Sequence, residues 1–104
     1  MAEQLKINTL GSGFPLVFIH GWGLNSAIFS PMVEKLSIHY QVTTIDLPGF
    51  GQNTDVLVDD YSLENITAMV ADCITQPAII IGWSLGGLVA TNIALHHPEK
   101  AHAL

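Results

Sequence analysis

The stretch IIIGWSLGGLVATNIAL, residues 79 to 95, decides the fold of this chain. An isoleucine-rich run leads into GWSLG, residues 82 to 86, and a run with helical character follows at once. The pattern G-x-S-x-G becomes informative between a strand and a helix, because the serine then sits on a sharp turn with its hydroxyl exposed. Ser84 is therefore the candidate nucleophile, and Gly82 and Gly86 are the small residues that such a tight turn needs.

A serine in front of a helix can also act only as an N-cap, which is the alternative interpretation of Ser84. The preceding strand and the flanking glycines favour the nucleophile. The helix that begins behind Ser84 offers free N–H groups and the positive end of its dipole. On this interpretation, the N–H of Leu85 faces the negative oxygen that develops when Ser84 attacks a carbonyl.

An oxyanion hole needs a second N–H group from a different segment. The apolar run LVFIH, residues 16 to 20, is followed by Gly21-Trp22-Gly23, which places Trp22 at the same edge of the sheet as the serine. We assign the Trp22 N–H as the second donor, and its indole as a candidate lining of the substrate pocket; the alternative is a core aromatic. His20 is interpreted as a structural histidine that holds this turn together with Gly21.

Strand-like and helix-like segments alternate along the chain, which predicts right-handed crossovers and a parallel sheet covered on both faces. The expected class is α/β, a three-layer α/β/α domain with a doubly wound, mostly parallel sheet. Ser30-Pro31 and Ser62 are the expected starts of the first two helices. The predicted strands cover residues 5–10, 16–20, 41–47 and 78–83, and the predicted helices cover 29–36, 62–74 and 85–95.

Composition restricts the possible partners and surroundings. With a net charge of −6, three lysines and no arginine, the chain offers little to nucleic acid phosphates. A lone cysteine, Cys73, and an N-terminus without a signal-peptide pattern predict a cytoplasmic protein. Runs long enough to span a membrane are not expected. Asp55, Asp59 and Asp60 lack the spacing of a calcium loop, so neither a metal nor a cofactor is predicted.

Only 12% of the residues are charged and 49% are apolar, which is unusual for a small free-standing domain. Residues 101–104 resemble the opening of a further strand. We therefore expect residues 1–104 to be the N-terminal part of a single core domain, without its cap region and C-terminal strands. Such a piece should associate with itself or exchange segments, because its sheet edge is unpaired.

The motifs HGWG, DLPGFG and GWSLGG, in that order and on those elements, resemble the α/β-hydrolase superfamily. More narrowly, LVFIHGWGLN, TTIDLPGFG and IIIGWSLGGLVATNIALHHPE resemble the pimeloyl-[acyl-carrier protein] methyl ester esterases of biotin synthesis. This resemblance implies a serine carboxylesterase acting on an ester linked to acyl carrier protein, with Ser84 as nucleophile and Trp22 and Leu85 as oxyanion donors. After DLPGFG such sequences commonly have Arg-Ser, whereas this chain has Gln52-Asn53.

A serine nucleophile also needs a base and an orienting acid, which follow the serine along the chain in this fold. His96, His97 and His102 follow it, but at the wrong end of the next helix. The chain is thus predicted to carry the nucleophile without its acid and base, and to be inactive alone. Alternatives are a lactonase, a carbon–carbon bond hydrolase, a haloperoxidase-like enzyme or a non-catalytic binding module. Dehalogenases and epoxide hydrolases are disfavoured because they place Asp where Ser84 stands.

Overall fold

A five-stranded sheet forms the middle layer of the computed structural model, which describes residues 5–21, 26–56, 58 and 60–104. The strand order is β1-β3-β2-β4-β5, with β1 antiparallel to β3 and the other neighbours parallel. The three-layer α/β architecture predicted from the alternating segments is confirmed. The elements are β1 Ile7–Leu10, β2 Phe14–Ile19, α1 Ser30–Leu36, β3 Tyr40–Ile45, α2 Leu63–Asp72, β4 Ala78–Gly82, α3 Leu85–His96 and β5 Ala101–Ala103.

The register brings the carboxyl ends of the three central strands level with one another. Ile19 pairs with Ile45 on one side and with Gly82 on the other. The segments that leave these strands therefore meet at one edge of the sheet, which is where open α/β sheets place their ligands.

The two faces of the sheet bury separate apolar clusters. The larger cluster lies under α2 and α3 and includes Ile19, Ile45, Val70, Val89 and Ile93. The smaller cluster lies under α1 and consists of Leu16, Phe18, Phe29, Val33 and Val42. The β4 side chains on this second face, Ile79 and Ile81, pack against this cluster but remain only half-buried.

The starts of the helices only partly follow the sequence prediction. Ser62 caps α2 as expected, since its hydroxyl accepts a hydrogen bond from the Asn65 N–H at 3.2 Å. The prediction for α1 was wrong: its N-cap is Phe29, without a side-chain capping bond. A 3-10 turn over Ser26–Phe29 runs directly into α1, so Ser30 is the first residue of the helix and not its N-cap.

The described residues include no helix that combines the length and apolar character needed to cross a bilayer.

Candidate active site

Ser84 connects β4 to α3 in a strained backbone conformation, with φ 54° and ψ −117°. It is the only non-glycine residue with positive φ among the residues that the structure describes. Such a conformation costs about 1–3 kcal/mol for a residue with a Cβ atom. The side chain is exposed and makes no capping hydrogen bond to α3. The hydroxyl thus lies at the surface of the junction and does not cap the helix.

The close approach of β4, α3 and β2 explains the two glycines of the motif. A Cβ atom at Gly82 would collide with the carbonyl group of Gly86, and one at Gly86 would collide with the carbonyl oxygens of Ile19 and His20. In both cases the obstacle is backbone, which cannot move aside as the end of a flexible side chain can. Gly87, by contrast, has room, since its Cβ would stand 3.4 Å from the Gly82 oxygen.

The first turn of α3 presents a free donor beside the serine. The N–H groups of Gly86, Gly87 and Leu88 donate to the carbonyl oxygens of Trp83 and Ser84 at 2.8 to 3.1 Å. No acceptor for the Leu85 N–H is found within the described part of the chain. This group lies at the positive end of the helix dipole and is available to an anionic oxygen.

The turn after β2 lies directly against the nucleophile. A Cβ atom at Gly21 would stand 3.1 Å from the Ser84 Cβ and 3.0 Å from the Trp83 Cδ1. Trp22, the predicted second donor, lies outside the described residues. The structure therefore places the residue next to Trp22 beside Ser84.

His20 is fully buried and links two turns at this edge of the sheet. Its Nε2 accepts a hydrogen bond from the Leu47 N–H at 2.8 Å, so Nδ1 carries the proton and donates to the Gly21 oxygen at 2.7 Å. The Phe50 ring packs edge-on against the imidazole, with 5.7 Å between ring centroids. Both nitrogens are occupied by backbone partners, which leaves neither free for proton transfer with Ser84.

The turn after β3 contains a polar centre that the sequence did not reveal. Asn53 is fully buried, although it lies in a stretch that reads as solvated loop. Its amide nitrogen donates to the Lys6 and Asp46 oxygens, and its amide oxygen accepts from the Lys6 N–H. The neighbouring Gln52 side chain adds a 3.2 Å bond to the same Lys6 oxygen. Gln52 and Asn53 thus tie the segment around Lys6 to the turn after β3.

Asp46 supports the same turn from the end of β3. Its carboxylate accepts the Gln52 N–H at 3.0 Å and lies against Gly51, where a Cβ atom would collide with it. This carboxylate is buried and turned to the α1 face of the sheet. The Asp46 carboxylate therefore stabilises the turn after β3.

The later histidines lie far from the serine. Ser84 precedes α3, and His96 ends it about 18 Å away at 1.5 Å per residue. The His102 ring packs against Phe14 at the start of β2, with 5.0 Å between ring centroids. Phe14 is at the amino end of the strand, whereas His20 and Ser84 follow the carboxyl ends of β2 and β4.

Other candidate sites are weak in the described residues. They include no group of three or more His, Cys, Asp or Glu residues able to hold a metal ion.

Burial raises the pKa of the Cys73 thiol, which lies at the end of α2 with its sulfur 3.5 Å from the Met69 oxygen. A cavity of about 600 Å³ lies between β1 and α1, lined by Asn8, Glu34 and Asp46 among others. Ser84 does not line it, so it is separate from the nucleophile.

The strained serine between β4 and α3, the glycines around it and the level strand ends match the strand–turn–helix geometry of the α/β-hydrolase fold. A family model described as alpha/beta hydrolase fold matches residues 15–104, and the chain belongs to this family. The chain is 42% identical over its whole length to the pimeloyl-[acyl-carrier protein] methyl ester esterase of Pseudoalteromonas atlantica and covers 40% of that protein. It is 48% identical over 96 residues to the protein of that name from Wigglesworthia glossinidia brevipalpis, covering 91% of this chain and 36% of the relative.

Solved structures show the same fold. A marine microorganism esterase superposes on 94% of this chain with a TM-score of 0.87 and 28% identity. The match covers 39% of that esterase. The chain therefore spans about two fifths of the length of the relatives that it matches.

Proposed function

We propose that these residues are the N-terminal part of a serine carboxylesterase and that Ser84 is its nucleophile. The observation that carries the proposal is the backbone of Ser84, strained at φ 54° with an exposed hydroxyl that caps nothing. Strain held at an exposed polar side chain is typical of functional sites rather than of structural turns.

In the proposed reaction, the Ser84 Oγ attacks the ester carbonyl carbon while its proton passes to a base. The N–H groups of Leu85 and Trp22 stabilise the resulting oxyanion. The C–O bond to the alcohol then breaks, the alcohol leaves with that proton, and an acyl-enzyme on Ser84 remains. Water hydrolyses the acyl-enzyme and regenerates the serine. We propose that the base and its orienting acid lie downstream of residue 104, as the chain order of this fold requires.

For the substrate we propose the methyl ester of a pimeloyl group carried on acyl carrier protein, within biotin synthesis. Support comes from the names of the curated relatives, which are 42% and 48% identical to this chain over the matched residues. At a net charge of −6, these 104 residues should repel an acidic carrier protein. We therefore place the carrier docking surface, like the cap, in the remainder of the protein, which we expect to act in the cytoplasm.

We also propose that the 104-residue chain is inactive alone and associates with itself. Among the described residues, both His20 nitrogens are bonded to backbone groups and the later histidines lie far from Ser84. Several large apolar side chains are also exposed, among them Leu88, Leu95 and Leu104.

The test is methanol release from the pimeloyl-carrier methyl ester by the product of the complete gene, together with growth of a biotin-requiring strain carrying that gene. Wild type should pass both tests, and Ser84→Ala should fail both while remaining folded. Hydrolysis of simple esters or lactones without growth would instead indicate a different serine hydrolase. Absence of any hydrolysis would favour a binding module.

A further inference from the structure

The Trp83 side chain is exposed although it is one of the two largest apolar side chains in the sequence. Its exposed fraction is 62%, and it stands at the carboxyl edge of the sheet, immediately before Ser84. An indole placed in water beside a reactive centre offers apolar area that a ligand can cover.

The ring and the nucleophile border the same glycine. The point where a Gly21 Cβ would stand lies 3.0 Å from the Trp83 Cδ1 and 3.1 Å from the Ser84 Cβ. The indole edge and the serine side chain are therefore near neighbours across Gly21. The acyl chain of an ester bound at Ser84 would therefore begin within a few ångströms of the indole ring.

The backbone of Trp83 is held from both sides by hydrogen bonds. Its N–H donates to the Ile19 oxygen at 3.0 Å, and its carbonyl oxygen accepts the Gly86 N–H at 2.9 Å. One bond fixes the residue to β2 and the other to α3. The point where the side chain leaves the backbone is thus fixed relative to Ser84 by the elbow itself.

We propose that Trp83 determines acyl-chain specificity by forming an apolar wall of the acyl pocket next to Ser84. This inference rests on the proposed esterase function. The substrate class is an ester with a straight acyl chain of medium length, whose first methylene groups lie against the indole. An acetyl group is too short to cover the ring, whereas a hexanoyl group covers it.

The experiment compares kcat and KM for p-nitrophenyl acetate, butyrate, hexanoate and octanoate in the complete gene product. Trp83→Ala should lower kcat/KM for the hexanoate about tenfold, mostly through KM, and should leave the acetate within about twofold. For Trp83→Phe, the hexanoate-to-acetate ratio of kcat/KM should lie between those of the wild type and Trp83→Ala. The matched control is Leu95→Ala, at a similarly exposed apolar residue at the far end of α3, which should not change the hexanoate-to-acetate ratio.

An unchanged hexanoate-to-acetate ratio in Trp83→Ala would overturn the proposal, and so would an equal loss on all four esters, which would mean that the ring only supports the elbow. If Trp83→Ala does not fold, the ratios of Trp83→Phe and Trp83→Leu decide in the same way. A wild-type protein that hydrolyses none of the esters overturns the proposed function, and this inference with it. The wild-type activity and the ratio in the variants therefore test the two claims separately.

Discussion

At the scale of single residues, Ser84 is kept in a conformation that glycine would adopt more easily. The strain at a φ of 54° is not offset by a capping hydrogen bond, since the hydroxyl does not cap α3. The interpretation of Ser84 as a mere N-cap therefore has no hydrogen bond to support it. The nucleophile interpretation explains both the strain and the exposure.

Replacing Ser84 should reveal this strain. Ser84→Gly should stabilise the fold by about 1 kcal/mol, because glycine tolerates positive φ without a Cβ clash, even though it loses more chain entropy on folding. Ser84→Ala keeps the Cβ atom and should change stability little. Urea unfolding at a fixed, low protein concentration measures both. A glycine variant less stable than the alanine variant would mean that the backbone is not strained.

Gly86 and Gly87 form a matched pair for the packing of the elbow. Gly86→Ala should destabilise the fold by about 3 kcal/mol or more, because the new methyl group meets backbone oxygens of β2. Gly87→Ala should be neutral or stabilise by up to about 1 kcal/mol, since alanine is the better helix former. The difference between their unfolding midpoints is the measurement. Equal midpoints would contradict the close approach of α3 to the sheet.

At the scale of elements, the turn after β3 depends on Asn53. Asn53→Ala should cost about 2–4 kcal/mol, because it removes three hydrogen bonds between a fully buried amide and the backbone of Lys6 and Asp46. Gln52→Ala is the control, and it should cost less than about 1 kcal/mol because its bond to Lys6 is exposed. Thermal unfolding of the two variants tests this order. A smaller loss for Asn53→Ala than for Gln52→Ala would contradict it.

The elements differ in how far the sequence predicts them. The β4–elbow–α3 unit follows directly from residues 79–95, because a continuous apolar run, glycines and a helical pattern are all local signals. The buried role of Asn53 has no local signal, since a polar residue in a polar loop is usually solvated and only the contact with Lys6 reverses this. The start of α1 was mispredicted because the preceding 3-10 turn already supplies helical geometry, so Ser30 does not need to cap.

The site divides in the same way. The places of Ser84, Leu85 and the motif glycines follow from one contiguous stretch of sequence. The contact of Gly21 with Ser84 needs the parallel register of β2 and β4, which pairs Ile19 with Gly82. The hydrogen bonds of His20 additionally need β3 beside β2, a neighbour that alternation alone does not specify.

At the scale of the whole molecule, several large apolar side chains are exposed, and exposed apolar side chains that lie together favour association. The side chains of Leu88 and Leu95 lie one above the other on the outer face of α3, and their exposed fractions are 58% and 70%. The 104-residue chain should therefore sediment as larger species as its concentration rises. Leu88→Lys combined with Leu95→Lys should shift it toward the monomer. A wild-type chain that remains a monomer at high concentration in analytical ultracentrifugation would contradict this prediction.

The molecule as described holds one half of a hydrolase site. It contains Ser84, which we propose as the nucleophile, a free N–H group at the start of α3 and an exposed indole, while the histidines after Ser84 lie at the opposite edge of the sheet. This arrangement predicts that the reactivity of Ser84 depends on residues outside this chain.

The most direct test is intact-mass detection of fluorophosphonate labelling, made on this chain and on the product of the complete gene. We predict that the complete protein gains one adduct, lost in Ser84→Ala, and that the 104-residue chain gains none. If the complete protein is not labelled at Ser84, the nucleophile assignment is wrong. If the short chain is labelled as readily as the complete protein, a base within these residues activates Ser84, and the division of the site proposed here is wrong.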